Sequence, residues 1–424
     1  MKIEANNPKL SSWVDVPEGS DFPIQNLPFG VFKTNNGPHV GVAIGNQILD
    51  LAKLYNLELL GGENIFEQDS LNPLIKQGKI ANRILRNKIS EMLRIETSSN
   101  TPKITASVLE KVKNCLVNQA DVEMLLPVQI GDYTDFYSSI DHATNVGKMF
   151  RDPANALMPN WKHIPVGYHG RSSSIIVSGQ DIYRPKGQTR PDLEKPPVFG
   201  ASKLMDFELE VAFITYDGKP IGDSISTDEA DDYIFGLALF NDWSARDIQK
   251  WEYVPLGPFL GKNFASSLSP WIVLLDALEP FRVLGEKQDP KVLPYLEYEG
   301  NKNIDIKLQV IIQPEGAEET VVSNSNYKYM YWNMNQQLAH HTINGCNVKA
   351  GDMMASGTIS GPTSGSFGSM LEISWQGSKS VTMSDGTERK FIQDNDTVII
   401  RGHAEKDGVR VGFGEVSCKL LPAK

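Results

Sequence analysis

The sequence predicts a mainly β protein with some α, divided into a small β-rich unit with appended helices over residues 1–127 and a larger unit over residues 128–424. Three observations lead there. Apolar runs are short and punctuated by Gly and Pro, as in Pro165-Val-Gly-Tyr-His-Gly-Arg171 and Gly357-Thr-Ile-Ser-Gly-Pro362. Apolar spacings of three and four, the mark of a helix, are confined to a few segments. The character of the chain shifts at Leu126-Pro-Val-Gln-Ile-Gly-Asp132, after which strand-like runs dominate. A chain of 424 residues is long enough for two or three domains and a sizeable core.

Taken in order, residues 1–20 are polar and irregular and read as a loose arm. From Phe29 strands follow, Gly30-Val-Phe-Lys33 and His39-Val-Gly-Val-Ala-Ile44. Gly45-Asn46, ahead of Gln47-Ile-Leu-Asp-Leu51, is a hairpin signal because both residues accept positive φ. Residues 73–97 place Ile80, Ile84, Leu85, Ile89, Met92 and Leu93 at helical spacing, and residues 106–117 read as a second helix. In the larger unit the expectation is mostly antiparallel β with few helices, one of them over 327–343 and ended by Asn344-Gly345.

Composition narrows the function. Acidic residues outnumber basic ones 52 to 41, a net charge of −11, which disfavours nucleic-acid and anionic-membrane partners without excluding an anionic substrate. The N-terminus lacks the apolar core of a signal peptide, and apolar runs such as Tyr233–Phe240 are far too short to span a bilayer, so a cytoplasmic, globular protein is expected. Cys115, Cys346 and Cys418 form no CxxC pair, which argues against a disulfide framework or a cysteine–zinc site. Familiar signatures fail: Gly412-Phe-Gly414 meets Ser417 where a dinucleotide fingerprint needs glycine. Gly257-Pro-Phe-Leu-Gly-Lys262 is one residue short of a P-loop and is followed by Asn263; GxSxG and HExxH do not occur.

Two segments carry chemistry. In Met205-Asp-Phe-Glu-Leu-Glu-Val-Ala-Phe213 apolar and acidic residues alternate, so a strand places Asp206, Glu208 and Glu210 on one face, roughly 6.5–7 Å apart in succession. That face is either a solvated sheet surface or, if buried, a place where a cation must neutralise it. Leu237-Ala-Leu-Phe-Asn-Asp-Trp-Ser-Ala-Arg-Asp-Ile-Gln-Lys-Trp-Glu-Tyr253 reads as a strand entering a helix with Asn241 as N-cap. Asp242, Arg246, Gln249 and Tyr253 then form one helical stripe, exposed or lining a polar site. An oxygen-rich set without cysteine suits Ca²⁺ or Mg²⁺ better than Zn²⁺. Four carboxylates balance a divalent ion together with Lys262 and Arg246, so such a site can be buried. Among the seven histidines, His340 and His341 suit a helix C-terminus, and His163, His169 and His403 sit in loop-like contexts. His142 follows a polar, aromatic segment and is compatible with either a structural or a functional role.

Asp135-Phe-Tyr137 with His142, Glu208-Leu-Glu210, Asn241 to Gln249, and Gly357-Thr-Ile-Ser-Gly361 together resemble the fumarylacetoacetate hydrolase family. The likeness runs from Asp21-Phe-Pro-Ile-Gln-Asn-Leu-Pro28 to Val411-Gly-Phe-Gly414, the first twenty residues standing as an addition to the family's usual start. The resemblance implies a small SH3-like β-barrel followed by a larger mixed β-roll catalytic domain. It also implies a homodimer and a hydrolase acting on carbon–carbon bonds in ketonic substances, cleaving 4-fumarylacetoacetate to fumarate and acetoacetate at the end of tyrosine and phenylalanine degradation. It assigns a metal, Ca²⁺ and/or Mg²⁺, to Asp135, Glu208, Glu210 and Asp242, with Lys262 beside it. The family commonly has Gly-Thr where this chain has Ala265-Ser266; the Ser266 hydroxyl can still contact a second cation. By the same likeness His142, oriented by Glu372, activates water, and Arg246, Gln249 and Lys262 stabilise developing charge. Tyr137, Arg151, Tyr168, Gln249, Tyr253 and Thr358 bind the diketo-acid substrate. Water so activated would attack a ketone whose diketo oxygens a divalent cation holds. Relatives of the same superfamily, acylpyruvate hydrolases and diene-dioate isomerases, are the nearest alternatives, although an isomerase gives the His142–Glu372 pair no water to activate. A metal-stabilised scaffold without turnover leaves that pair without a joint role.

Overall fold

The computed structural model describes residues 2–95 and 104–424. The N-terminal part is built on a five-stranded antiparallel sheet whose spatial order is Leu116–Asn118, Gln47–Asp50, Gly37–Ile44, Phe29–Thr34, Met124–Leu125. The expected hairpin is present, with Ile44 opposite Gln47 across the two-residue turn Gly45-Asn46. Asp50 ends the strand Gln47–Asp50 and caps the helix Leu51–Asn56 by accepting from the Lys53 N–H at 3.1 Å.

Several local expectations need correction. The residues before 21 are not a loose arm. Ala5 is fully buried, and the Trp13 indole N–H donates to the Met92 carbonyl at 2.8 Å, so the segment is fastened to the helix Gly78–Leu93. The helix expected over 73–97 is two pieces, Asn72–Ile75 and Gly78–Leu93, and residues 96–97 lie outside those described. The helix expected over 106–117 ends at Lys113, because Leu116–Asn118 leaves it to pair with Gln47–Leu49. The helix expected over 327–343 is the shorter Met334–Thr342, opened by an Asn333 capping box that Gln336 completes.

The larger part holds an eight-stranded mixed sheet. Its order is Gly167–His169, Tyr133–Phe136, Met353–Ala355, Leu209–Thr215, Ile234–Asp242, Ser266–Leu268, Ile175–Val177, with Val273–Leu274 also paired to Ile234–Asp242. Most pairings are antiparallel, as expected, but Ala355 lies beside Asp135 and Ser266 beside Ile175 in parallel register. A second sheet contains the long hairpin Thr397–Lys406 and Val409–Leu421. One apolar cluster lies between the sheets around Phe207, Leu209, Val211 and Leu239. Another joins the N-terminal sheet to the back of the eight-stranded one, uniting Val31, Val42 and Leu49 with Ala212, Phe240 and Ile272. Phe29 and Ile272 seal that junction with reciprocal backbone hydrogen bonds of 3.0 and 2.8 Å.

Candidate metal and acid–base centre

The central strands deliver four carboxylates to one point. Asp135 comes from Tyr133–Phe136, Glu208 and Glu210 from the start of Leu209–Thr215, and Asp242 from the end of Ile234–Asp242. All four are buried, and each offers an oxygen within 4.8 Å of those of the others. The alternation read from sequence therefore holds for Glu208 and Glu210. It fails at Asp206, because the strand is interrupted between Asp206 and Leu209. The Asp206 carboxylate turns away to accept from the N–H groups of Met370 (2.6 Å) and Leu371 (3.0 Å) and from Arg246 Nε (2.8 Å).

The helical stripe is corrected too. The strand continues through Asp242, Ser244–Ala245 pairs with Met205–Asp206, and the helix is Arg246–Glu252. Asn241 is no N-cap: its side-chain oxygen accepts from the Glu208 N–H at 3.1 Å within the sheet. Asp242, at the end of the strand, and Arg246, at the start of the helix, share no helix face; each reaches the cluster through its own partner, Lys262 for Asp242 and Glu208 for Arg246. Tyr253 closes that helix with half its surface exposed.

Cations stand on one side of the cluster. Lys262 Nζ donates to Glu208 Oε2 at 2.5 Å and Asp242 Oδ2 at 2.6 Å, and Ser266 Oγ to Asp242 Oδ1 at 2.8 Å. Arg246 Nη1 reaches Glu208 Oε1 at 2.7 Å and Gln249 Oε1 at 3.3 Å. Burial favours a neutral Lys262, but Asp242 and Glu208 more than offset it and hold the ammonium charged. Burial pushes the Glu208 carboxyl the other way, upward, but Lys262 and Arg246 hold it down at about 2. The others go the opposite way. Burial and mutual repulsion raise Asp135 and Glu210 well above the carboxylate range, and Asp242 is raised as well.

Whether these residues suit a cation can be tested on their own oxygens. Asp135 Oδ1 and Glu210 Oε1 are buried and have no hydrogen-bond partner among the described residues. Unpaired buried carboxylate oxygens are costly, and an all-oxygen set facing one point is what a hard divalent ion binds. The residues fit. Gly357 presses against the same cluster, its N–H donating to Glu210 Oε2 at 3.0 Å. Its φ is +73°, and a Cβ there would meet the Phe136 carbonyl at 2.1 Å, so only glycine allows this approach. Thr358 follows, buried.

Beside the cluster lies a second arrangement. Ser139 caps the helix Ile140–Phe150 by accepting from the His142 N–H at 3.1 Å, which places His142 in its first turn. His142 Nδ1 is 2.7 Å from Glu372 Oε2. Glu372 also accepts from Ser360 Oγ (2.8 Å), Ser369 Oγ (2.9 Å) and Asn145 Nδ2 (2.9 Å). Although burial pushes its pKa upward, His142 and these donors bring it below the usual range. A carboxylate held ionised there fixes the imidazole proton on Nδ1 and leaves Nε2 free to accept. Asn145, Ser360 and Ser369 went unread in the sequence; only Asn145, three residues after His142 on one helix face, left a signal.

The Tyr137 ring stands edge-on to His142 at 5.2 Å, and Tyr168 hydrogen-bonds Asp135. Arg151 is exposed and donates twice to the Ala156 carbonyl, yet its charge still acts on Tyr137. A cavity of about 180 Å³ opens on the Asp242–Lys262–Ser266 side, with Tyr168, Arg171 and Phe259 on its walls.

Comparison with known proteins identifies the family. Residues 25–127 match the family model described as fumarylacetoacetase N-terminal, and residues 133–419 the model for the fumarylacetoacetate hydrolase C-terminal region. The bovine fumarylacetoacetase is 52% identical over 419 residues, covering 97% of this chain and 99% of its own. That of Caenorhabditis elegans is 52% identical over 426 residues, covering 98% and 100%. Matches of this extent leave no room for the first twenty residues to be an addition, correcting that expectation. A fumarylacetoacetate hydrolase from Exiguobacterium antarcticum, 18% identical, superposes with a TM-score of 0.51 over 94% of this chain and all of its own, a likeness of fold alone. With both models matched and half the sequence shared end to end with these relatives, the chain belongs to the fumarylacetoacetate hydrolase family.

Proposed function

We infer that this protein hydrolyses the carbon–carbon bond of 4-fumarylacetoacetate, releasing fumarate and acetoacetate, the last step of tyrosine and phenylalanine degradation. The observation that carries the chemistry is the buried His142–Glu372 pair beside the four-carboxylate cluster. The substrate follows from the end-to-end likeness to fumarylacetoacetases. Asp135, Glu208, Glu210 and Asp242 would hold Ca²⁺ or Mg²⁺, with Lys262 and Ser266 at its margin. When bound, that ion supplies Lewis acidity toward the diketo oxygens and the departing enolate. His142 takes a proton from water at Nε2 while Glu372 steadies the imidazolium. Lys262, Gln249 and Arg246, whose Nη2 has no partner among the described residues, stabilise the negative charge that develops on oxygen. Arg151, Tyr137, Tyr168, Tyr253 and Thr358 bind the rest of the diketo acid.

The two family models meet between residues 127 and 133, which supports units of 1–127 and 128–424, the first an SH3-like barrel and the second a β-roll. Val254, Leu256 and Phe259, exposed by 66%, 97% and 64% near the site, support a homodimer that covers them. No helix among the described residues is long and apolar enough to cross a membrane, and we place the enzyme in the cytoplasm. The test is the loss of fumarylacetoacetate absorbance with chelator-stripped protein. Stripped protein should be inactive, and Ca²⁺ or Mg²⁺ should restore turnover better than Zn²⁺. Full activity after stripping would remove the metal from this reading, and no turnover under any ion would remove the substrate.

A further inference from the structure

Asp206 lies outside the metal cluster and is out of contact with His142, yet it touches the supports of both. Its Oδ1 accepts from Met370 N–H at 2.6 Å; its Oδ2 accepts from Leu371 N–H at 3.0 Å and Arg246 Nε at 2.8 Å. Met370 and Leu371 open the turn Met370–Ile373 that carries Glu372, the partner of His142. Arg246 holds Glu208 and Gln249. The backbone is stitched at the same place, Glu208 bridging Ser369 and Leu209 N–H donating to the Gly368 carbonyl at 2.9 Å. Asp206 is fully buried, and Arg246 and these two N–H groups occupy its oxygens, so it has nothing to offer substrate.

We propose that Asp206 is a positioning residue that fixes the acid–base pair relative to the charge-stabilising Arg246, setting the distance between the two halves of the centre. The three donors come from two separate segments and converge on one rigid carboxylate only a few ångströms across. Either half could fold without this contact, but their mutual placement would then rest on packing alone. Misplacement of about 1 Å costs a reaction of this kind up to about a hundredfold. Asparagine cannot replace the acid, since in either orientation its NH₂ faces a donor, leaving a buried N–H or the guanidinium unmet. The inference rests on the hydrolytic reading above, and wild-type turnover in the same assay separates the two.

The experiment compares Asp206→Asn, Arg246→Met and the double variant, each as full-length, metal-loaded protein. Asp206→Asn is expected to lower kcat about 10–100-fold, with KM and the calorimetric Ca²⁺ affinity each within about threefold of wild type. In the Arg246→Met background the same change should lower kcat by less than about threefold, because residues acting as a unit are not additive. A spectroscopic arm needs no turnover. The low-field proton resonance of the His142–Glu372 hydrogen bond, assigned by its loss in His142→Ala, should move or broaden in Asp206→Asn. If Asp206→Asn does not fold, Met370→Pro deletes one donor where proline suits the first helical position, and Met370→Ala controls for the lost side chain. Met370→Pro should then lose at least about fivefold more kcat than Met370→Ala. An unchanged kcat with an unmoved resonance, or a full decrement in the Arg246→Met background, would overturn the proposal. So would equal behaviour of the two Met370 variants.

Discussion

Two groups of buried acid lie side by side in this molecule, and their surroundings are opposite. In the cluster of Asp135, Glu208, Glu210 and Asp242, two oxygens have no partner among the described residues, and repulsion with burial raises three of the four pKa values. At Glu372 four donors close around one carboxylate and the pKa falls. The first group is short of positive charge and is arranged to receive it. The second is complete within the chain and is arranged to hold a neighbour still. Burial alone therefore says little about an acid's role; the balance of donors against acids around it says more.

The largest effect separating the two groups should come from His142 and Asp242. His142→Ala is expected to lower turnover by about 10²–10⁴, the usual worth of a general base, while metal content and melting temperature stay near wild type. Asp242→Ala should lose metal affinity and thermal stability together, because a weakly held ion no longer stabilises the folded state. Calorimetric metal titration and thermal melts on both decide it; if His142→Ala bound no ion, or Asp242→Ala bound it normally, base and ligand would be wrongly assigned.

A smaller and sharper contrast lies in pH. Glu372 has a lowered folded pKa, so its contribution to stability is present above the unfolded carboxylate value, about 4.3, and is lost as pH falls through the folded value. Glu210 has a raised one, so in metal-free protein its contribution is present at low pH and lost as pH rises through the folded value. In chelated protein at pH 7, Glu372→Gln should therefore destabilise by about 1–3 kcal/mol, and the deficit should shrink on acidification below the carboxylate range. Glu210→Gln should instead raise the melting temperature of the chelated protein, and that gain should vanish once Ca²⁺ is added. Equal responses of the two variants would end the contrast. The smallest effect is at the rim: Arg151→Lys should raise KM about tenfold, roughly 1.4 kcal/mol of binding, with kcat little changed, because lysine cannot reproduce a planar two-donor grip. Steady-state kinetics that match wild type would take Arg151 out of substrate binding.

What the sequence made legible was local. Period-two alternation placed Glu208 and Glu210 together, and the hairpin at Gly45-Asn46 was readable from two residues. Periodicity erred where the chain breaks its own period. The interruption after Asp206 swings that carboxylate out of the row, and the strand through Asp242 delays the helix to Arg246. It was silent on Asp135, His142 and Glu372. These meet the cluster through the pairing of Ala355 with Asp135 and a contact 230 residues apart in sequence, and only the family likeness pointed to them. The N-terminal segment misled for a related reason: polar composition reads as loose, and docking of Trp13 on a distant helix leaves no local trace.

The reciprocal bonds between Phe29 and Ile272 give the first quarter of the chain a hold over the last three. The strand that begins at Phe29 backs the sheet from which Asp242 projects, and a side chain added at the next residue, Gly30, would run into the Pro270 carbonyl and the Trp271 ring, each 2.7 Å away. A damaging allele is therefore as much to be looked for at Gly30 as at a carboxylate. Such a variant should appear as scarce, heat-sensitive protein with ordinary kinetics, because the damage lies in the seam between the two parts and leaves the carboxylates in place.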